Sequence, residues 1–205
     1  MKQDAWGRPE PELIPMMTRS EHDLLRSQAA RSKRILEYGS GGSTAMFMEE
    51  TQAVVVSVES DPVWFERLNK ELPYFIDQGR LLLHYADVGP VGLHGSPTDM
   101  STMSQWPDYW QWPWTSIYNT PDYGPDLVFV DGRFRISCAL YSALRVGPGV
   151  TILFHDFWRR RRYDVLQRHL RIVASSGQMV AFLPRADIDE NAVRNDLAAY
   201  RRDRR

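Results

Sequence analysis

Short apolar runs of strand length recur along this chain, and segments with helical spacing stand between them. That alternation constrains the fold more than any other feature, because it is the rhythm of βαβ units and a mainly parallel sheet. The runs cover 34–37, 53–58, 80–85, 126–131, 150–154 and 179–183. Helix-start chemistry lies between them. Thr18 with Glu21 three residues on fits a capping box and predicts a helix over 18–30. Asp61-Pro62 places a cap before a proline at the first helical position, with Trp64, Phe65, Leu68 and Leu72 turned inward. Ile136, Leu140 and Leu144 repeat every four residues, 164–174 reads as a further helix, and 188–200 as the last. No repeat or linker divides the 205 residues, a length that suits one domain with one sizeable core.

Composition excludes several classes of protein. With 43% hydrophobic and 25% charged residues the chain is neither disordered nor fibrous. A formal charge of −1 gives no reason to expect a nucleic acid or an anionic membrane as partner. Cys138 is the only cysteine, so a disulfide framework and a multi-thiolate zinc site are both excluded. Cys138 itself falls on the apolar side of a helix and reads as core. No apolar run approaches the roughly 20 residues of a membrane helix. The polar, proline-rich start lacks the pattern of a secretory signal, so a cytoplasmic protein is expected. Residues 1–17, with Pro9, Pro11 and Pro15, predict an extended arm.

The most specific local feature is Glu37-Tyr38-Gly39-Ser40-Gly41-Gly42-Ser43, which follows the first strand and opens a helix. Gly39 permits a tight turn, Gly41 allows close approach to the backbone, and a helix N-terminus presents unpaired N–H groups. Glu59, at the end of the next strand, is placed to accept hydrogen bonds from the two hydroxyls of a ribose. A carboxylate at Glu37 would repel a pyrophosphate and suits a ligand that carries an ammonium group. The residues therefore point to a nucleoside bearing an amino acid.

Taken in order, these motifs resemble class I S-adenosylmethionine-dependent methyltransferases. The stretch from Ile35 to Thr44 is similar to their first motif, Glu59 to their ribose acid, and Ala86-Asp87 to the pair beside the adenine. The run from Asp126 to Gly132 is similar to the fourth-strand motif that ends at their active site. The resemblance covers residues 20 to 183 and implies an α/β fold, a Rossmann-like three-layer sandwich with a mainly parallel central sheet of six or seven strands. It also implies S-adenosylmethionine as cofactor and a small-molecule acceptor, methylated on oxygen. Ser43 stands where a third glycine is usual. Only one strand is read after the fifth, where the family's sheet ends in an antiparallel pair.

Strand direction gathers Gly39, Glu59, Asp87, Asp131, His155 and Asp156 at the carboxyl ends of the strands, where open α/β sheets bind ligands. Asp131, His155 and Asp156 form the expected catalytic set. His155 has the right chemistry for a general base, and Asp131 or Asp156 for orienting it. The same three residues could ligate a divalent metal, for which one imidazole favours manganese or iron over magnesium. His155 and Asp156 could instead cap the next helix and pair with Arg159. Arg133 and Arg135 follow Asp131 closely, one suited to pair with an acid and the other to touch substrate.

Two segments stay open. Residues 89–124 break the rhythm and carry Trp106, Trp110, Trp112 and Trp114 with Tyr109. They suit either a flap over the acceptor or a small core of their own, including a contact in a homodimer. The run from Arg159 to Arg162 suits an anionic acceptor or a solvated face, and the arginine-rich C-terminus predicts a frayed tail. Two other functions fit the residues: a nicotinamide-dependent oxidoreductase, and a non-catalytic nucleoside-binding module.

Overall fold

Helix formation begins where local chemistry places it. In the computed structural model, which describes residues 13–120 and 123–204, Thr18 accepts from the Glu21 backbone while its own N–H donates to the Glu21 carboxylate at 2.7 Å. That capping box starts α1 (Arg19–Ala29). The first twelve residues of the expected arm lie outside the described residues.

The chain then alternates β1 (Arg34–Tyr38), α2 (Gly42–Glu50), β2 (Val54–Glu59), α3 (Pro62–Glu71), α4 (Pro73–Asp77) and β3 (Leu81–Tyr85). After α5 (Pro107–Trp112) come β4 (Leu127–Val130), α6 (Arg135–Ala143), β5 (Thr151–Phe154), β6 (Leu170–Ser176), β7 (Met179–Pro184) and α7 (Glu190–Tyr200). Among the described residues seven strands form one sheet in the order β3-β2-β1-β4-β5-β7-β6. The first five strands are parallel, while β7 runs antiparallel to β5 and β6 antiparallel to β7. Strand order reverses between β1 and β4, which opens a crevice beyond their carboxyl ends.

Strand alternation gives the sheet two apolar faces. Ile35, Val55, Phe129 and Leu153 meet Leu25, Phe47 and Leu68 on one face, under α1, α2 and α3. Leu36, Tyr38, Val58, Val130 and Ile152 meet the second layer, which contains Phe134, Leu140 and Val193 from α6, α7 and the turn before α6. No helix among the described residues is long and apolar enough to cross a membrane.

Two expectations are corrected. The segment 164–174 is not a helix: 3-10 turns over Arg161–Arg168 lead into β6. Because β6 is an edge strand with exposed Arg171, Ile172 and Val173 and a bulge between Ile172 and Ala174, it lacks the alternation that marks a strand. The tryptophan-rich segment is not structureless. It forms α5 and a π-helical turn over Pro113–Ile117 and completes the second layer. Trp106, Tyr109, Trp110 and Trp114 are at most 3% exposed and belong to the main core. Trp114 Nε1 donates to Tyr38 OH at 2.8 Å, and Tyr38 OH donates to the Trp110 carbonyl at 3.0 Å. Cys138 is buried beside them.

Candidate active site

The parallel ladder runs past the strand ends and sets the site residues side by side. Gly39 N–H donates to Val58 O at 2.9 Å, Asp131 N–H to Tyr38 O at 2.9 Å, His155 N–H to Val130 O at 3.1 Å, and Ala86 N–H to Glu59 O at 2.8 Å. Gly39 has φ +97°, and a Cβ there would collide with the Gly132 backbone, so only glycine lets the β1 and β4 turns close on each other. Gly42 is equally confined, by the Ile14–Pro15 backbone that crosses the start of α2.

On the glycine-loop side the carboxyls face inward. Glu37 is fully buried and accepts from Ser43 Oγ at 2.5 Å, Thr44 Oγ1 at 2.6 Å and Ser57 Oγ at 2.7 Å. It shapes the loop from behind and holds the Ser43 side chain. Ser40 Oγ lies 2.6 Å from Ser57 Oγ in the same network. Glu59 Oε1 accepts from the Ser60 and Asp61 N–H groups, each at 2.7 Å. The 93–95 turn folds over this acid, and Ser60 Oγ donates to Gly95 O at 2.9 Å. Burial pushes Glu37 up to about 7 against the pull of its three hydroxyl donors. Burial likewise pushes Glu59 up to about 7 against its backbone donors. No ion pair of the described residues involves either acid. Asp87, on the neighbouring strand end, is exposed and accepts from Gly89 N–H at 2.9 Å. Trp64 lies against Gly41, with its Nε1 3.4 Å from where a Cβ would stand.

On the β4–β5 side the acids are compensated from within. Asp131, His155 and Asp156 each bring a ligand-type atom within 4.8 Å of the others. Arg135, from the first turn of α6, stands among them: Nη2 is 3.0 Å from Asp131 Oδ1, Nη1 is 3.5 Å from Asp156 Oδ2, and Nη1 donates to His155 O at 2.7 Å. His155 Nδ1 lies 3.0 Å from Asp131 Oδ1, and Nε2 lies 3.8 Å from Glu21 Oε2. Burial works to raise the Asp131 pKa, but Arg135 and His155 outweigh it and hold the acid below its usual value. Burial works to lower the His155 pKa, but the bond to Asp131 and its charge raise it overall.

Two consequences follow. Both nitrogens of His155 face carboxylates and the residue is 7% exposed, so its imidazole stands between β4, β5 and α1. The trio also does not suit a divalent metal, because the Arg135 guanidinium already bridges both carboxylates and a dication would be set against it. Arg159 does pair with Asp156, at 3.2 Å, but Asp156 makes no side-chain cap to the turn that follows.

A doubly wound α/β sheet with a glycine-rich turn and acids at its switch point defines a nucleoside-binding class of proteins. No protein-family model matches the chain, and no curated protein matches it. Among solved structures, a methyltransferase-like protein of Silicibacter pomeroyi is 31% identical, covering 93% of this chain and 98% of that one, with a TM-score of 0.78. An S-adenosylhomocysteine-bound methyltransferase of Podospora anserina is 15% identical, with a TM-score of 0.55 over 84% of this chain and 80% of that one. A methyltransferase of Geobacter sulfurreducens is 13% identical, with a TM-score of 0.51 over 84% and 82%. The last two share the fold. The chain belongs to the class I S-adenosylmethionine-dependent methyltransferase family.

Several contributors were not foreseen from sequence. The local pattern announces Glu21 only as half of a capping box, yet its Oε1 accepts from the Gln178 N–H at 2.6 Å and its Oε2 faces His155. Tyr109 OH accepts from the Arg133 N–H at 3.2 Å beside Gly132, and nothing in the local pattern announces that contact.

Proposed function

We propose that this protein transfers a methyl group from S-adenosylmethionine to an oxygen of a small-molecule acceptor. The observation that carries the reading is the pair Glu37 and Glu59, two buried acids flanking a glycine-rich turn with no cationic side chain among the described residues to pair with them. A cation bound at that turn supplies the missing charge, and the donor carries both an ammonium and a sulfonium. When bound, the donor presents an electrophilic methyl on sulfur.

The backbone of Gly39, Ser40, Gly41 and Gly42 at the start of α2 receives the amino-acid end. Glu37 and Ser43 hold that turn in shape and contribute charge from behind. Glu59 takes the ribose with the oxygen that its own loop leaves over, and Asp87 takes the adenine amino group. Asp131 lies against the Gly39 turn with 27% of its side chain exposed. Ionised and held by Arg135, it accepts the hydrogen bond of the acceptor hydroxyl, orients it in line with the methyl group, and takes its proton as the C–O bond forms and the C–S bond breaks, passing it on to solvent over its exposed edge. His155 positions Asp131 and Asp156 steadies Arg135, so both act through another residue. The nicotinamide reading lapses with family membership.

Calorimetry with S-adenosylhomocysteine and transfer of labelled methyl to a panel of hydroxylated acceptors test the proposal. Binding and turnover are expected. A folded protein that binds neither donor nor product overturns it, and binding without turnover favours a non-catalytic module. His155→Ala is expected to lower kcat on the order of tenfold or more, leaving product affinity and the KM for donor unchanged. Unchanged kcat removes His155 from the mechanism.

A further inference from the structure

The arginines around the β4 and β5 ends are not held alike. Arg135 is saturated by Asp131, Asp156 and three backbone carbonyls. Arg159 pairs with Asp156 at 3.2 Å, and Arg162 pairs with Asp203 at 3.0 Å. Arg133 is half-buried, its Nε is buried without a hydrogen-bond partner, and no carboxylate of the described residues pairs with it. Its backbone is fixed on both sides: its N–H donates to Tyr109 OH, and Phe134 after it is left-handed at φ 52°. Arg160 turns inward instead of joining the solvated run, donating to Tyr163 OH at 3.1 Å with its guanidinium carbon 5.9 Å from that ring's centre.

A half-buried guanidinium with a buried, unpartnered Nε, no ion pair among the described residues and like charges nearby is destabilising as it stands. Burial, and the neighbouring charges of Arg135 and Arg160, pull the Arg133 pKa down. Arg133 is also close enough to Asp131 to help keep that carboxylate ionised. Arg133 follows β4 and Arg160 follows β5, neighbouring parallel strands, so both lie beyond the carboxyl ends, on the same side of the sheet as the proposed substrate-orienting acid. Guanidinium groups match the flat, two-oxygen edge of carboxylates and phosphates.

We infer that Arg133 and Arg160 form an anion-recognition subsite, and that the methyl acceptor carries a carboxylate or phosphate group bound there. The identification of the anion's carrier as the acceptor rests on the methyl-transfer reading above; the subsite itself does not. Binding there fixes the distance between the anionic group and the reacting hydroxyl, so the subsite selects substrates by charge and length.

The experiment titrates inorganic phosphate against the full chain with bound S-adenosylhomocysteine, at constant ionic strength set with chloride. It follows heat by calorimetry and the Arg Nε–H signals by NMR. Saturable binding is expected in the wild type, with a shift of the Arg133 Nε–H signal. Arg133→Gln and Arg160→Gln are each expected to weaken binding at least tenfold, and Arg161→Gln, on the exposed part of the run, to leave it unchanged. No saturable phosphate binding in the wild type overturns the inference, as does a loss in Arg161→Gln equal to that in Arg133→Gln. If Arg133→Gln does not fold, Arg160→Gln and the wild-type NMR signal decide the matter. Retained product binding without a phosphate effect defeats this inference alone, whereas absent product binding defeats the methyl-transfer reading.

Discussion

Glu37 and Glu59 on one side of Gly39, and Asp131 and Asp156 on the other, are all acids at or just past the ends of parallel strands, yet their charges are managed in opposite ways. The first two have only neutral donors, and burial pushes both up to about 7. Asp131 shares Arg135 with Asp156, and its pKa is pulled down. The difference teaches what each half awaits. The glycine-loop half lacks a cation and is complementary to a ligand that brings one. The β4–β5 half carries its own cation and has no place for a metal.

The sharpest way to break this comparison is to remove the resident cation. Arg135→Met removes the one guanidinium that Asp131 and Asp156 share, leaving them His155 and the exposed Arg159, and should destabilise the fold by about 3–5 kcal/mol in urea unfolding. Glu37→Gln should cost far less, and above pH 7 it should stabilise the ligand-free protein, since it removes a buried charge that nothing balances. If the two variants prove equally damaging, the contrast between the halves is wrong.

The next effect is in pH. Glu37 and Glu59 are raised from 4.5 to about 7 in the folded protein, so between those values the folded state binds more protons than the unfolded one. Their stabilising contribution is present below the unfolded value and is lost as pH rises through 7. Asp131 works the other way: its folded pKa is lowered, so its contribution is present above the ordinary carboxylate value and is lost on acidification. Melting temperature without ligand should therefore fall from mildly acidic pH towards pH 8. Donor binding should release protons at pH 7, seen as a buffer-dependent binding heat, and donor affinity should rise between pH 6 and pH 8. A pH-independent affinity would detach the two acids from the donor.

The smallest expected effect is that of metal. Chelators should leave methyl transfer unchanged, and added manganese should not raise the melting temperature. Loss of activity on chelation, restored by a divalent ion, would show that Arg135 yields its place.

Much of this layout is legible in the chain. The capping box at Thr18, the Asp61-Pro62 start and the β-branched run before Glu59 each act over a few residues, and each gives the element it signals. Trp106, Trp110 and Trp114 also recur every four residues, a helical signal hidden by Pro107 and Pro113, both of which fit at helix starts. Strand β6 was illegible for a different reason: an edge strand is not required to alternate, and this one does not. Within the site, residue types and their order along the strands were readable, but their partners were not. Arg135 was readable only as one of two arginines suited to an acid.

The sequence by itself determines the alternation of elements, the glycine-rich bend after β1 and the set of acids that strand direction carries to one edge, because all of these follow from local periodicity and backbone sterics. Only the tertiary structure decides which acids find a cation. That choice depends on which side chains from distant elements share a few ångströms of low-dielectric space, as Glu21 and His155 do across 134 residues of chain, or the Arg135 guanidinium between β4 and β5.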